Sequence, residues 1–160
     1  MPAGHHVKAQ QKEELPLSKA AQMLLEECRM VLPGIQALFG FQLVAVFNSA
    51  FDQKLSQTEQ HLHFTALALV AIAVALVMAP AAFHRQAGIT EITDTFLKLS
   101  TRLMLWSMWP LTLGVCIDFY IVARVLIGGA LAPWVATALF SIYVGLWFVL
   151  PRTLKRFASP

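Results

Sequence analysis

HFTALALVAIAVALVMAPAAF, His63–Phe83, runs for 21 residues without an acidic or strongly basic side chain. A helix rises 1.5 Å per residue, so about 20 such residues cross the hydrocarbon of a bilayer. The run stops at His84 and Arg85, charge-bearing groups suited to a headgroup region. It is therefore read as a membrane-spanning helix, and the rest of the chain is judged against it.

Three more runs have comparable length. Met30–Phe51 carries no charge, Leu103–Ala123 is broken only by Asp118, and Val125–Pro151 is uncharged throughout. Hydrophobic residues make up 58% of the chain and charged ones 13%, against about 25% charged in a soluble domain. Four apolar helices in 160 residues leave no polar face to meet water. The fold class is therefore all-α: a polytopic membrane protein, a four-transmembrane-helix bundle with an N-terminal cytoplasmic amphipathic helix or extension. Residues 1–17 read as a flexible cytoplasmic leader and 18–160 as a single membrane domain. Its spans fall at about 30–51, 63–84, 103–123 and 130–151. The leader is polar and acid-containing, so no cleavable signal peptide is expected, and His5 and His6 within it suggest nothing alone.

Lysine and arginine give the direction. Lys8, Lys12, Lys19 and Arg29, then Arg85, Lys98 and Arg102, then Arg152, Lys155 and Arg156 fall on one side, leaving Lys54 and Arg124 on the other. Basic residues favour the cytoplasmic face, so both termini are expected there. The basic residues form scattered short clusters and no single polar face, which excludes a nucleic-acid partner. Ser18 is a plausible N-cap for a segment with Ala21, Leu24, Leu25, Cys28 and Val31 on one stripe. That segment either lies on the membrane or extends span one. Thr90–Arg102 predicts a short interfacial helix, and Pro133 suits the first turn of span four.

Helices in lipid associate by close backbone approach, so small residues mark packing faces. Ala68, Ala71, Ala75, Ala79 and Ala82 follow a three-four repeat in span two, and Thr137, Ser141 and Gly145 are spaced by four in span four. Either face serves packing within one subunit or between subunits. Pro33, Pro80 and Pro110 are expected helix kinks, with Pro151 ending span four. Their shared cytoplasmic half suggests a splayed, partly wet vestibule, beside the plainer reading that prolines are common in membrane helices.

Asp118 is the costliest residue in any span, about 8 Å from the external end. It either reaches external water or Arg124, or forms a cation or proton site. Gln36, Gln42 and Asn48 do not share a stripe, so at least one should bond across helices. Glu59, His61 and His63 have the wrong spacing for a metal centre, and Cys28 and Cys116 read as small apolar side chains. No metal, cofactor or catalytic motif is expected.

Glu26–Phe47 (EECRMVLPGIQALFGFQLVAVF), Ala79–Arg85 (APAAFHR) and LWFVLPRTLKR near the C-terminus resemble an uncharacterised family of small bacterial four-helix membrane proteins. Some of its members carry a sodium:proton antiporter label by automatic transfer, although this chain has no inverted repeat or midplane carboxylate pair. The resemblance singles out Glu27, Arg29, Gly34, Gln36, Pro80, His84 and Arg85. It implies a cytoplasmic-side polar cluster of Glu27, Arg29, Gln36, His84 and Arg85, with Glu27 pairing Arg85. The leading functional expectation is a homo-oligomeric ion channel or passive ion pathway, not an enzyme. The alternative is a structural or accessory subunit. The expected partners are the bilayer and either further copies or another membrane protein.

Overall fold

The computed structural model of the chain describes residues 16–86 and 94–157. The described residues form α1 (Leu17–Val46), α2 (Ser49–Lys54), α3 (Gln57–Gln86), α4 (Asp94–Ile127), α5 (Ala132–Val144), a π-helical turn (Gly145–Val149) and α6 (Leu150–Phe157), with no strand among them. Four of the helical segments, Leu17–Val46, Gln57–Gln86, Asp94–Ile127 and Ala132–Leu154, are long and apolar enough to cross a membrane. The chain is a helical membrane protein. Of the expected leader, residues 1–15 lie outside the described residues.

Several boundaries differ from the sequence reading. α1 begins after Pro16, whose carbonyl accepts from Lys19 N (3.0 Å) and Ala20 N (3.1 Å), while Ser18 lies inside the helix and caps nothing. The amphipathic segment then runs unbroken through Pro33 into span one, giving one 30-residue helix of about 45 Å. That helix stops at Val46, short of the expected Phe51. Asn48 Oδ1 accepts from Ala50 N at 2.9 Å and restarts the chain as α2, because its short polar side chain competes for backbone donors. The expected interfacial helix is the opening of α4, continuous from Asp94 to Ile127; residues 90–93 lie outside the described residues. Gly128, at φ 91°, makes the turn that follows, a left-handed conformation that favours glycine.

No proline ends a span. Pro33, Pro80 and Pro110 all lie inside continuing helices. Pro151, expected as a terminator, sits inside helix that runs on to Phe157. It has no N–H for the carbonyl four residues back and its ring crowds that carbonyl. The turn just before it widens, and Leu150 N reaches Gly145 O, five residues away.

Cross-helix contacts give the topology. His63–Asp118 and Phe83–Phe96 join residues whose numbers total about 180, the signature of an antiparallel hairpin of α3 and α4 with 3.6-residue turns in register. Gln42–Asp118 and Cys28–Met104 are each 76 residues apart, so α1 and α4 run parallel. Trp109 stacks on Phe148 at 4.3 Å and anchors span four against α4. α3 and α4 share the most extensive contact; α1 packs on both, and α5 on α4. The core comprises Leu24, Cys28, Ile35, Val70 and Val77.

α3 and α4 are tightly apposed at Gly114. A Cβ there would lie 2.9 Å from Val70 Cγ2 and 3.0 Å from the Ala66 carbonyl oxygen. The buried stripe of α3 is Ala66, Val70, Ala73, Val77 and Pro80. Ala68, Ala71, Ala75 and Ala82 are exposed and Ala79 only partly covered. The alanine repeat therefore does not pack within the subunit. Thr137 and Ser141 are likewise exposed, and Gly145 has open space where a Cβ would be. Both hydroxyls bond their own helix, Thr137 to Pro133 O at 2.7 Å and Ser141 to Thr137 O at 2.8 Å.

Candidate functional site

Three helices meet at a polar cluster near the α2 end of the bundle. Gln42 arrives from α1, His63 from the second turn of α3, and Asp118 from α4. Gln42 Nε2 donates to Asp118 Oδ2. His63 Nδ1 lies 2.9 Å from Asp118 Oδ1, and His63 Nε2 lies 3.0 Å from the Gln42 carbonyl oxygen. Gln42 is 4% exposed and His63 7%. The edge of Phe51 covers the imidazole, with ring centroids 5.4 Å apart.

The protons in this cluster can be counted. A carbonyl oxygen only accepts, so His63 Nε2 carries a hydrogen. Between Nδ1 and Asp118 Oδ1 one further hydrogen is needed, whichever atom holds it. His63 and Asp118 together are then neutral, which suits an apolar surrounding that penalises isolated charge.

A second cluster lies nearer the α2 connection. Ser56 precedes α3, and Glu59 three residues on reaches back to it: Glu59 Oε2 accepts from Ser56 N at 2.8 Å and from Ser56 Oγ at 2.5 Å. The bond to Ser56 N is the acidic half of a capping box. Glu59 Oε1 also pairs with Arg124 at the end of α4, tying the two helices together. Glu59→Gln should lower the thermal stability of the detergent-solubilised protein, because Ser56 and Arg124 lose their charged acceptor; equal stability of the two proteins would show that Glu59 makes no such contribution.

The residues expected from sequence divide between those brought together and those left apart. Asp118 does not pair with Arg124, which is taken by Glu59, and turns to His63 and Gln42. Of the three polar residues in span one, Gln42 bonds across helices, Asn48 caps α2 and Gln36 is exposed. Glu27, Arg29 and Arg85 are also exposed, and Glu27 and Arg85 form no ion pair. The Gln42–His63 contact fixes the offset of α1 on α3, which places Arg85 level with about Ala20 and Glu27 level with about Met78. That separates the two side chains by about 10 Å along the helices. His84 is half-buried against Phe96, with its Nδ1 unpartnered. Gly34 has open space around it. His61 is exposed, and the described residues hold no cluster of three or more His, Cys, Asp or Glu able to bind a metal.

Two clefts flank this framework. One of about 460 Å³ has Gln42, His63 and Asp118 in its lining, with apolar walls from α1, α2 and α4 and Lys54 also contributing. The other, about 650 Å³, lies in the half expected to hold a wet vestibule. Its lining is largely apolar, with Glu27, Thr101 and Ser107 as the polar members, and no proline contributes to it.

Sequence reasoning missed His63 as the partner of Asp118. The signal available was its place in the hairpin, at the same distance from the connection as Asp118. It also missed the contact of Glu59 with Ser56, whose spacing is written plainly as Ser56-Gln57-Thr58-Glu59.

No curated protein and no solved structure matches the chain. The model of a family of unknown function, DUF6328, matches residues 11–151, nearly the whole chain and all four apolar helices, and the protein belongs to that family.

Proposed function

We propose that the protein is a homo-oligomeric ion channel or passive ion pathway in a bacterial inner membrane, with both termini in the cytoplasm. The observation that carries this reading is Asp118: an acid kept inside an apolar helix, bonded to His63 and lining a cleft. Intramembrane carboxylates are costly and commonly mark ion or proton routes. Association between copies is supported by two small-residue faces turned outward, Ala68–Ala82 on α3 and Thr137–Gly145 on span four. The excess of lysine and arginine toward the terminal end of the bundle supports the orientation.

The purified protein in liposomes should pass protons or monovalent cations under a pH or voltage gradient, and Asp118→Asn should change the rate or selectivity by about tenfold or more. Vesicles that stay silent across pH and voltage would remove the reading.

An accessory subunit is the second reading, favoured by the bare outer surfaces of α1 and span four, where Met30, Phe41, Phe47 and Trp134 are 73–86% exposed. It requires a fixed membrane-protein partner after mild extraction, and an Asp118→Asn protein that keeps that partner.

A further inference from the structure

We infer that the larger cleft, between α1 and α4, holds a phospholipid whose head is a primary ammonium (the ethanolamine class), with the ammonium on Glu27 and one acyl chain running inward to Trp147. This cleft is separate from the one that Asp118 lines, and the inference does not depend on ion passage.

Its length and walls suit hydrocarbon. α1 and α4 run parallel with an offset of 76 residues, so the lining residues of α1, from Ala20 to Ile35, face those of α4, from Leu97 to Leu111. The cleft therefore extends over about 22 Å of helix. Glu27 lies near its middle. Beyond Glu27 the wall is mainly Val31, Ile35, Met108, Leu111 and Trp147, an apolar strip about 12 Å long. The volume of about 650 Å³ falls in the range of ligand cavities, about 300–1,000 Å³.

The polar members of the lining select the head. Thr101 Oγ1 donates to Leu97 O at 2.9 Å and Ser107 Oγ to Met104 O at 2.7 Å, so both hydroxyl hydrogens are spent within α4. A carboxylate has no hydrogen to give. The side chains of the cleft thus offer only acceptors, and the charged one, Glu27, is exposed as well as lining it. An anionic head would be repelled by Glu27. A choline head brings positive charge but no N–H. A primary ammonium brings the charge and three N–H groups, and bonds of that kind are the strong ones. Arg102 is exposed at nearly the same depth as Glu27, which suits the phosphate that adjoins the ammonium.

The test is photolabelling of the full chain in phosphatidylcholine nanodiscs doped with a phosphatidylethanolamine that carries a diazirine in its acyl chain. Probes with the same tail and a choline or glycerol head serve as matched controls. Saturable labelling by the ethanolamine probe is expected on peptides containing Val31, Met108 or Trp147, with the other two heads weaker by about tenfold. Glu27→Gln should lower ethanolamine labelling to the choline level. Glu26→Gln, one residue away and outside the lining, should leave it unchanged. Val31→Trp and, separately, Leu105→Trp fill the cleft at exposed positions and should each block labelling. Equal labelling by the ethanolamine and choline probes would overturn the proposal and leave the cleft to ordinary lipid tails. Stronger labelling by the glycerol probe, labelling that never saturates, or equal effects of Glu27→Gln and Glu26→Gln would overturn it too.

Discussion

His63→Leu is expected to cost the fold about 3 kcal/mol, and the double variant His63→Leu/Asp118→Leu to recover most of that loss. Removing the imidazole leaves Asp118 with Gln42 alone, a carboxyl group in apolar surroundings that must either keep an unpaired charge or take up a proton. Breaking a buried pair typically costs about 3–5 kcal/mol, whereas replacing both members with apolar side chains is often neutral. The lower end applies because the two side chains are 9% and 19% exposed, so water relieves part of the penalty. A neutral hydrogen bond between membrane helices is worth only about 0.6 kcal/mol on average, which separates the two descriptions. Asp118→Asn, able to donate to Nδ1 of a neutral His63, should cost about 1 kcal/mol. Reversible unfolding in mixed micelles reads the parent, these three variants and Asp118→Leu, the second single member of the double. Single variants that each lose under 1 kcal/mol and simply add in the double would mean that the cluster is an ordinary polar contact.

Gly114→Val should destabilise by about 3 kcal/mol, the upper end of overpacking costs, and Gly114→Ala by about 1–2 kcal/mol. The first atom added at this position already lies 2.9 Å from Val70 Cγ2 and 3.0 Å from the Ala66 carbonyl oxygen. The methyl group can shift; the backbone oxygen can do so only if α3 moves. Val70→Ala should therefore rescue Gly114→Ala in part and Gly114→Val hardly at all. Gly34 and Gly40 also lie in apolar helices but have no neighbour within 4 Å. Alanine at either is expected to be neutral or to stabilise by up to about 1 kcal/mol. A Gly114 variant as stable as those controls would mean that α3 and α4 are not tightly apposed at this point.

How far the structure could be read in advance follows from which interactions repeat. Four spans are legible because length and apolarity are properties of single segments, and all four recur in the structure. Helix ends are less so: Asn48 stops α1 with one side-chain bond, a local event inside a run that is uniformly apolar. The packing face of α3 could not be chosen from its own sequence. His63–Phe83 holds alanines on two sides, and Ala66–Val70–Ala73–Val77 keeps a three-four spacing as well as Ala68–Ala71–Ala75–Ala79 does. Only the glycine across from it, at 114, distinguishes them. Asp118 was conspicuous by cost, but its partner depends on the offset between two helices, which hydropathy does not encode. The Glu27–Arg85 pairing failed for the same reason, because α2 and its turns displace α1 relative to α3 by several residues.

The wide turn at Gly145–Val149 means that span four contains one more residue than its height requires. Each residue turns a regular helix by about 100°, and the wide turn absorbs that rotation for one residue. Shortening this stretch by a single residue would let it close into regular helix while leaving Arg152 and Arg156 on the side of the bundle they now address. The same deletion in α3, which has no such turn, would pull Ala66 and Val70 away from Gly114. Span four thus has a place where its length can change by one residue without dismantling the central hairpin or turning the basic tail.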